Sequence, residues 1–314
     1  MGPFRQLDKY GTVPARRQNE ACRPGVPPHT TAAYGGSVTV RIGLSGWQYD
    51  SWRGDFYPAG LPKRRWLGYV GEHFPTVEVN GSFYSLQRPS RYRAWRADVP
   101  DGFRFALKGG RYLTHMLRLR DTGTALANFL ASGPLELGPA LGPVLWQLPG
   151  RFVPDPAVLD AFLDGLPATH GAAARIAVHH DEKVREPATT TATPELRIDH
   201  VLELRDPAAV TAEHLAVLRA HRTALVDSHA GDFPRFREDT GAPLAYLRLH
   251  GAPRTYHDGY SPQALGAWAR TVAQHVAAGR DVWVYFDNDA ERHAPWDALR
   301  LARLVDDRLG SDPS

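Results

Sequence analysis

The chain has 314 residues, 43% hydrophobic and 23% charged, a balance ordinary for a soluble globular protein. A net charge of +3 and a pI of about 9.0 permit an anionic partner but fall short of a dedicated nucleic-acid arm, and no apolar run approaches the ~20 residues of a membrane span. The single cysteine, Cys22, excludes an intrachain disulfide and a cysteine-based zinc site.

Residues 1–37 hold Pro, Gly, Arg and Thr with neither apolar periodicity nor a signal-peptide core, which predicts a disordered extension on a cytoplasmic protein. From residue 38 the pattern turns regular. "VTVRIGL" (38–44) predicts a strand and "KRRWLGYVGEHF" (63–74) a helix. "TVEVN" (76–80) is the second strand, followed by a helix around 89–97; "FRFALK" (103–108) is the third, with a helix near 123–131. "GPVLWQL" (142–148) is the fourth, with a helix near 156–164, and "HVLELR" (200–205) the fifth, with a helix at 211–220. "TALVD" (223–227) is the sixth and "LAYLRLH" (244–250) the seventh, before a helix at 262–278. "DVWVYFD" (281–287) is the eighth, closed by a helix at 295–307. Strands alternating with helices predict a parallel sheet, and eight such units predict an α/β chain folded as one closed (β/α)8 TIM-like barrel over 38–310. Residues 168–199 are long for a connection and read as an insertion, with "RIAVHH" as an accessory strand and "EPATTTATPE" as a flexible loop.

In such a barrel, polar residues late in the strands and sharing one parity face the C-terminal mouth. Glu78 and Asn80 alternate with Val77 and Val79; Lys108 follows Leu107; Glu203 and Arg205 alternate with Leu202 and Leu204. Gln147, Asp227, Arg248, His250, Asp287 and Asn288 close their own strands. Any one of these fits a buried ion pair that merely fixes the barrel. Taken together, they place costly charge at one end of nearly every strand, which marks a site.

The same strand ends carry a resemblance. "IGLSGWQYDSWRGDFYPAGLP", "FPTVEVNGSFYSL", "FRFALKGGRYLTHMLRL", "LGPVLWQLP", "LELR", "YLRLHG", "YHDGYS" and "VYFDNDAERHAPWDAL" together resemble the DUF72, or YecE-like, family over about residues 40–308. The segment before the fifth strand and "FDND" are similar to its actinobacterial branch. The resemblance implies a TIM barrel and supplies no reaction. The positions it carries over are Gly46, Trp47, Tyr57, Pro58, Glu78, Asn80, Phe83, Tyr84, Lys108, Thr114, His115, Gln147, Glu203, Arg205, Asp227, Arg248, His250, Gly251, Tyr260 and Asn288. The chain departs from the family pattern at Asp206, Pro207 and Ala208, and in "SHAGDFPRF" after Asp227.

Three chemistries compete. Glu78 and Glu203 form a carboxylate pair of the kind glycosidases use, although Arg205 beside Glu203 and Lys108 opposite Glu78 would lower their pKa values. Asp227 and His229, a D-x-H pair, admit a divalent metal with His250, Glu203 and Asp287, as in phosphodiesterases of the endonuclease IV type; no other cofactor motif is evident. The larger set is basic: Lys108, Arg111, His115, Arg118, Arg205, Arg248 and His250, with Arg111, His115 and Arg118 spaced for one helix face. It suits a phosphate, carboxylate or phosphodiester partner, and nucleic acid among these. The expectation is a hydrolase or lyase. Glu78, Lys108, Glu203 and His250 are its candidate catalytic residues. Trp47, Asn80, Tyr84, Arg111, His115, Gln147, Arg205, Asp227, Arg248, Tyr260 and Asn288 are the candidate substrate contacts, with Arg205, Arg248 and Lys108 holding the anion. A barrel that binds a metabolite without turnover is the alternative.

Overall fold

Apolar residues at every second position, broken by capped helices, give this chain its layers. The computed structural model describes residues 32–34 and 38–310. In chain order the strands and helices are β1 (Ala32–Tyr34), β2 (Val38–Ser45), α1 (Trp66–His73), β3 (Thr76–Val79), α2 (Gly81–Tyr84), α3 (Pro89–Asp98), β4 (Arg104–Lys108), α4 (Gly123–Ala131), β5 (Leu141–Gln147), α5 (Pro156–Asp164) and α6 (His170–Ala177). Then follow β6 (His200–Glu203), α7 (Ala212–Ala220), β7 (Ala224–Leu225), β8 (Asp227–His229), β9 (Leu244–Leu249), α8 (Pro262–Ala277), β10 (Asp281–Phe286) and α9 (Ala294–Gly310).

The sheet runs β7-β6-β5-β4-β3-β2-β10-β9-β8, and every neighbouring pair in that order is parallel. β7 and β8 are two halves of the sixth predicted strand, parted at Val226. The first half pairs with β6 and the second with β9, so this one bent run closes the barrel. Inside it, Ala106, Leu145, Val201, Val226, Leu244, Tyr246, Trp283 and Tyr285 form one buried cluster. The opposite parity, including Val77, Leu107, Trp146, Leu202, Leu247 and Leu249, packs outward against the helices. Caps set the helix starts: Asp155, Thr169, Thr211 and Ser261 each accept a hydrogen bond from a backbone N–H in the first turn.

Two expectations change. Residues 32–34 form β1, antiparallel to β2, because β2 begins before its pairing with β3 at Leu44 and leaves an edge that β1 fills. The rest of the predicted extension, Cys22 included, lies outside the described residues. "RIAVHH" is not a strand: its first residues end helix α6, where the alanine-rich run behind the Thr169 cap favours a helix. No helix follows β8; the loop 230–243 stands in its place and walls a cavity of about 220 Å³ on the outside of the barrel. No described helix is long and apolar enough to cross a membrane.

Gly109, directly after β4, ties the mouth to the outer layer, since a Cβ there would lie 2.3 Å from the buried Trp146 ring. Gly109→Ala is expected to lower stability by about 1–3 kcal/mol through overpacking, measured by urea denaturation. An unchanged midpoint would mean that Trp146 repacks freely.

Candidate functional site

At the C-terminal mouth the inward parity of the strands converges on one guanidinium. Arg248 of β9 is fully buried and donates to Glu78 of β3 through Nε (3.1 Å) and Nη2 (2.7 Å). It also reaches Glu203 of β6 (3.0 Å), Asp287 after β10 (3.1 Å) and Ser45 Oγ of β2 (3.3 Å). The remaining sites on the two glutamates are taken as well. Glu78 accepts from Ser45 Oγ and from Tyr246 OH at 2.7 Å. Glu203 accepts from Arg205 Nε (3.1 Å), Arg205 Nη2 (3.0 Å) and Ser228 Oγ (3.2 Å).

Burial by itself would push the Glu203 carboxyl up; Arg248, Arg205, His250 and Lys108 hold it far below the usual range instead. Asp287 is likewise held down against its burial, by the His250 hydrogen bond and Arg248. Burial would lower Arg248, and Glu78, Glu203 and Asp287 raise it. His250 is enclosed, its Nδ1 3.0 Å from Asp287 Oδ2 and its Nε2 3.3 Å from Arg248 Nη1. Burial, then Arg248, lowers its pKa and favours the neutral ring. Phe233 and Tyr256, from the loops after β8 and β9, cover that ring edge-on, and Phe233 also lies 4.3 Å from the Arg205 guanidinium.

Lys108, at the end of β4, differs from these groups. It is 8% exposed, and among the described residues it has no ion pair and no hydrogen bond to Nζ, which sits 4.3 Å over the Phe83 ring. Burial and then Arg248 draw its pKa down to about 8, against the pull of Glu203, Glu78 and Asp287. His115 packs edge-on to the same Phe83. Its pKa falls to about 4 through burial and through Arg111, Lys108 and Arg205, so three cations bear on this side of the mouth. Gln147, on neighbouring β5, keeps a buried Oε1 that receives no hydrogen bond among the described residues. Near Tyr49, Asp289 is raised to about 7 by burial and by Asp287.

The structure thus brings together Glu78, Lys108, Glu203, Arg205, Arg248 and His250. Asn80 joins them by donating to Ser45 Oγ at 3.1 Å. Several expectations are corrected. Arg248 was expected to hold an anion, but its N–H groups are occupied by the three carboxylates. Glu78 pairs with Arg248 and not with Lys108. Glu78 and Glu203 are fully enclosed and saturated with donors, which leaves neither able to act as a proton donor.

Asp227 points outward to Arg235 (2.7 Å), because Ala224 and Val226 face the barrel interior and the alternation leaves Leu225 and Asp227 outside, with Ser228 in the inward place. His229 faces outward too, against Tyr260 and Trp268, so the D-x-H pair does not meet His250, Glu203 and Asp287. The described residues contain no group of three or more metal-ligating side chains. Trp47 is a packing residue against Trp95. Tyr260 fixes the loop after β9 by accepting from Gly251 N–H, where φ is +88°. Asn288 holds Asp297 and the Asp258 carbonyl. Tyr84, 75% exposed, and Arg111 line a neighbouring cavity of about 420 Å³ bounded by Phe83. Arg111, His115 and Arg118 do not share a helix face, because Tyr112–Met116 is a π-turn and Arg118 and Leu119 have positive φ. Sequence reasoning missed Ser45, Ser228 and Tyr246, which look like filler in a strand, and Asp289. It read Asp287 as a strand end and assigned it no role beyond a metal ligand.

The model of the family described as "Protein of unknown function DUF72" matches residues 41–313. The chain belongs to this family. Among curated relatives, this DUF72 chain is 32% identical over 129 residues to the UPF0759 protein YecE of Escherichia coli K12, covering 41% of this chain and 44% of that protein. It is 33% identical over 76 residues to the UPF0759 protein YunF of Bacillus subtilis 168, covering 24% of this chain and 26% of that protein. These matches span less than half the length of either relative. Among solved structures, a DUF72 family protein of Thermotoga maritima superposes with a TM-score of 0.67 at 22% identity, over 85% of this chain and 99% of that one. Another, from Enterococcus faecalis, gives 0.63 at 19% identity, over 85% and 95%. At such identities the likeness establishes the shared barrel fold.

Two stability predictions follow from the charges. Arg248→Met would strand Glu78 and Glu203 in the barrel and is expected to cost about 3–5 kcal/mol at pH 7 in urea unfolding; a loss below about 1 kcal/mol would contradict the network. Because Glu203 and Asp287 ionise below their unfolded values, the native network contributes fully above about pH 4.5 and loses that contribution as pH falls. Lys108→Met should have the opposite effect at pH 7, stabilising by roughly 1–3 kcal/mol, since a desolvated ammonium is removed. Its advantage should fade from about pH 8 upward, as the native lysine loses its proton before the unfolded one does. A destabilised Lys108→Met at every pH would show that the lysine is structural.

Proposed function

We propose that this chain is an enzyme of the lyase or hydrolase class acting on a small phosphorylated or carboxylated substrate at the C-terminal mouth. The observation that carries this reading is the field at His115: Arg111, Lys108 and Arg205 bear on it together, and Lys108 has no carboxylate partner among the described residues. An anion entering there supplies the missing charge. The Arg248 network holds Glu78, Glu203 and Asp287 in place, a preorganised wall behind the substrate. Phe233 and Tyr256 cover His250 edge-on, and Arg205, stacked on Phe233 with its side chain still 15% exposed, is left within reach of the substrate. Proton transfer falls to Lys108 and Asp289, whose pKa values of about 8 and about 7 lie near neutrality.

The test is turnover in a metabolite extract followed by mass spectrometry. Wild type is expected to consume a phosphorylated or carboxylated compound, and Lys108→Met is expected not to. Arg205→Gln should weaken binding of that compound by about 1.5–3 kcal/mol, the worth of a charge-assisted contact. Consumption that survives both substitutions, or no consumption by wild type, would overturn the assignment.

A further inference from the structure

We propose that Lys108 is a covalent catalytic residue whose amine forms an imine with the carbonyl group of a small carboxylated or phosphorylated substrate. This rests on reading the mouth as an anion site and adds the reaction type.

The first argument is residue choice. Of the 37 Lys and Arg residues, only Lys9, Lys63, Lys108 and Lys183 are lysines. Lys63 and Lys183 sit exposed in ion pairs with Asp50 and Asp181. The remaining described lysine, Lys108, is buried. If that position required only positive charge, the arginine this chain uses almost everywhere else would serve and would form better ion pairs. What arginine cannot do is lose its proton near neutral pH and attack carbon.

The second argument is geometry. Ser82 Oγ donates to the Lys108 carbonyl at 2.7 Å, and Gly109 is pressed against Trp146, so the backbone of this lysine is fixed. Its amine has no competing partner among the described residues, and the residue keeps 8% exposure. The charged groups bearing on it are Arg248, Glu203, Glu78 and Asp287, with His115 beside them; their balance and its burial leave it partly neutral at pH 7. Gln147, on the strand beside Lys108, keeps a buried Oε1 without a donor among the described residues.

The chemistry balances without a redox partner. The nitrogen lone pair attacks the carbonyl carbon, and the carbonyl oxygen takes the proton that nitrogen sheds, giving a carbinolamine. That hydroxyl takes one proton from solvent and leaves as water while the C=N bond forms. The protonated imine then draws electrons from the adjacent bond, allowing cleavage or deprotonation beside the former carbonyl.

Full-length protein is treated with sodium cyanoborohydride and either pyruvate or glycolaldehyde phosphate, digested, and mapped by mass spectrometry. Thermal shifts with each probe are recorded in parallel. The expected result is an adduct on Lys108, equal to the probe mass less one oxygen, that is lost in Lys108→Arg while the variant's circular dichroism stays native. Labelling by pyruvate alone assigns a carboxylated substrate, and labelling by glycolaldehyde phosphate alone a phosphorylated one. Equal labelling of Lys63 and Lys183 overturns the proposal. So does the absence of a Lys108 adduct when either probe still raises Tm in wild type but not in Arg205→Gln; that outcome leaves the anion site standing. A Lys108 adduct with no thermal shift keeps the imine and counts against the anion site.

Discussion

One buried guanidinium organises this barrel's mouth. Arg248 is desolvated completely, an arrangement that is stable only if its charge and donors are met. Glu78, Glu203 and Asp287 meet them from β3, β6 and the end of β10, and Tyr246, Ser45, Ser228 and Arg205 complete the two glutamates. Each partner is therefore fixed by more than one bond. The barrel need not fill its upper layer with apolar side chains, because a saturated ionic lattice fills it.

That saturation divides the mouth. Toward β9 and β10, the Arg248 charge is matched by Glu78, Glu203 and Asp287, and aromatic rings close over His250. Toward β4 and β5, Lys108 and Gln147 keep unmatched polar atoms, and His115 loses its affinity for a proton through burial first and then through Arg111, Lys108 and Arg205. Preorganised charge on one side and unmet demand on the other is the arrangement expected of a site awaiting a ligand.

Much of this was legible in the sequence. The helices at 123–131 and 156–164, and the inward parity of Glu78, Lys108, Glu203 and Arg248, follow from local pattern alone. What was not legible depends on long-range geometry. Asp227 was turned to the wrong face because nothing local says which parity of 223–228 faces in; Ala224, Val226 and Ser228 take the interior. The spacing of Arg111, His115 and Arg118 implied a regular helix where the chain makes a wide turn instead. Which cation is spent on neighbours and which remains unspent cannot be read from spacing; of the cations expected to hold the anion, Arg248 is spent on Glu78, Glu203 and Asp287 and Lys108 is not.

The closure at Val226 has its own consequence. Every other barrel strand pairs with a neighbour along both its edges, whereas here β7 serves one edge and β8 the other, and no helix follows β8 before β9. Fewer ladder bonds and a thinner outer layer make this the seam of the cylinder. Amide protons along 224–229 should exchange earlier than those of β3 or β4, and sub-global opening begins there. Ser228 and, through it, Glu203 lie on that seam, so the first fluctuation of the fold reaches the ionic lattice from behind.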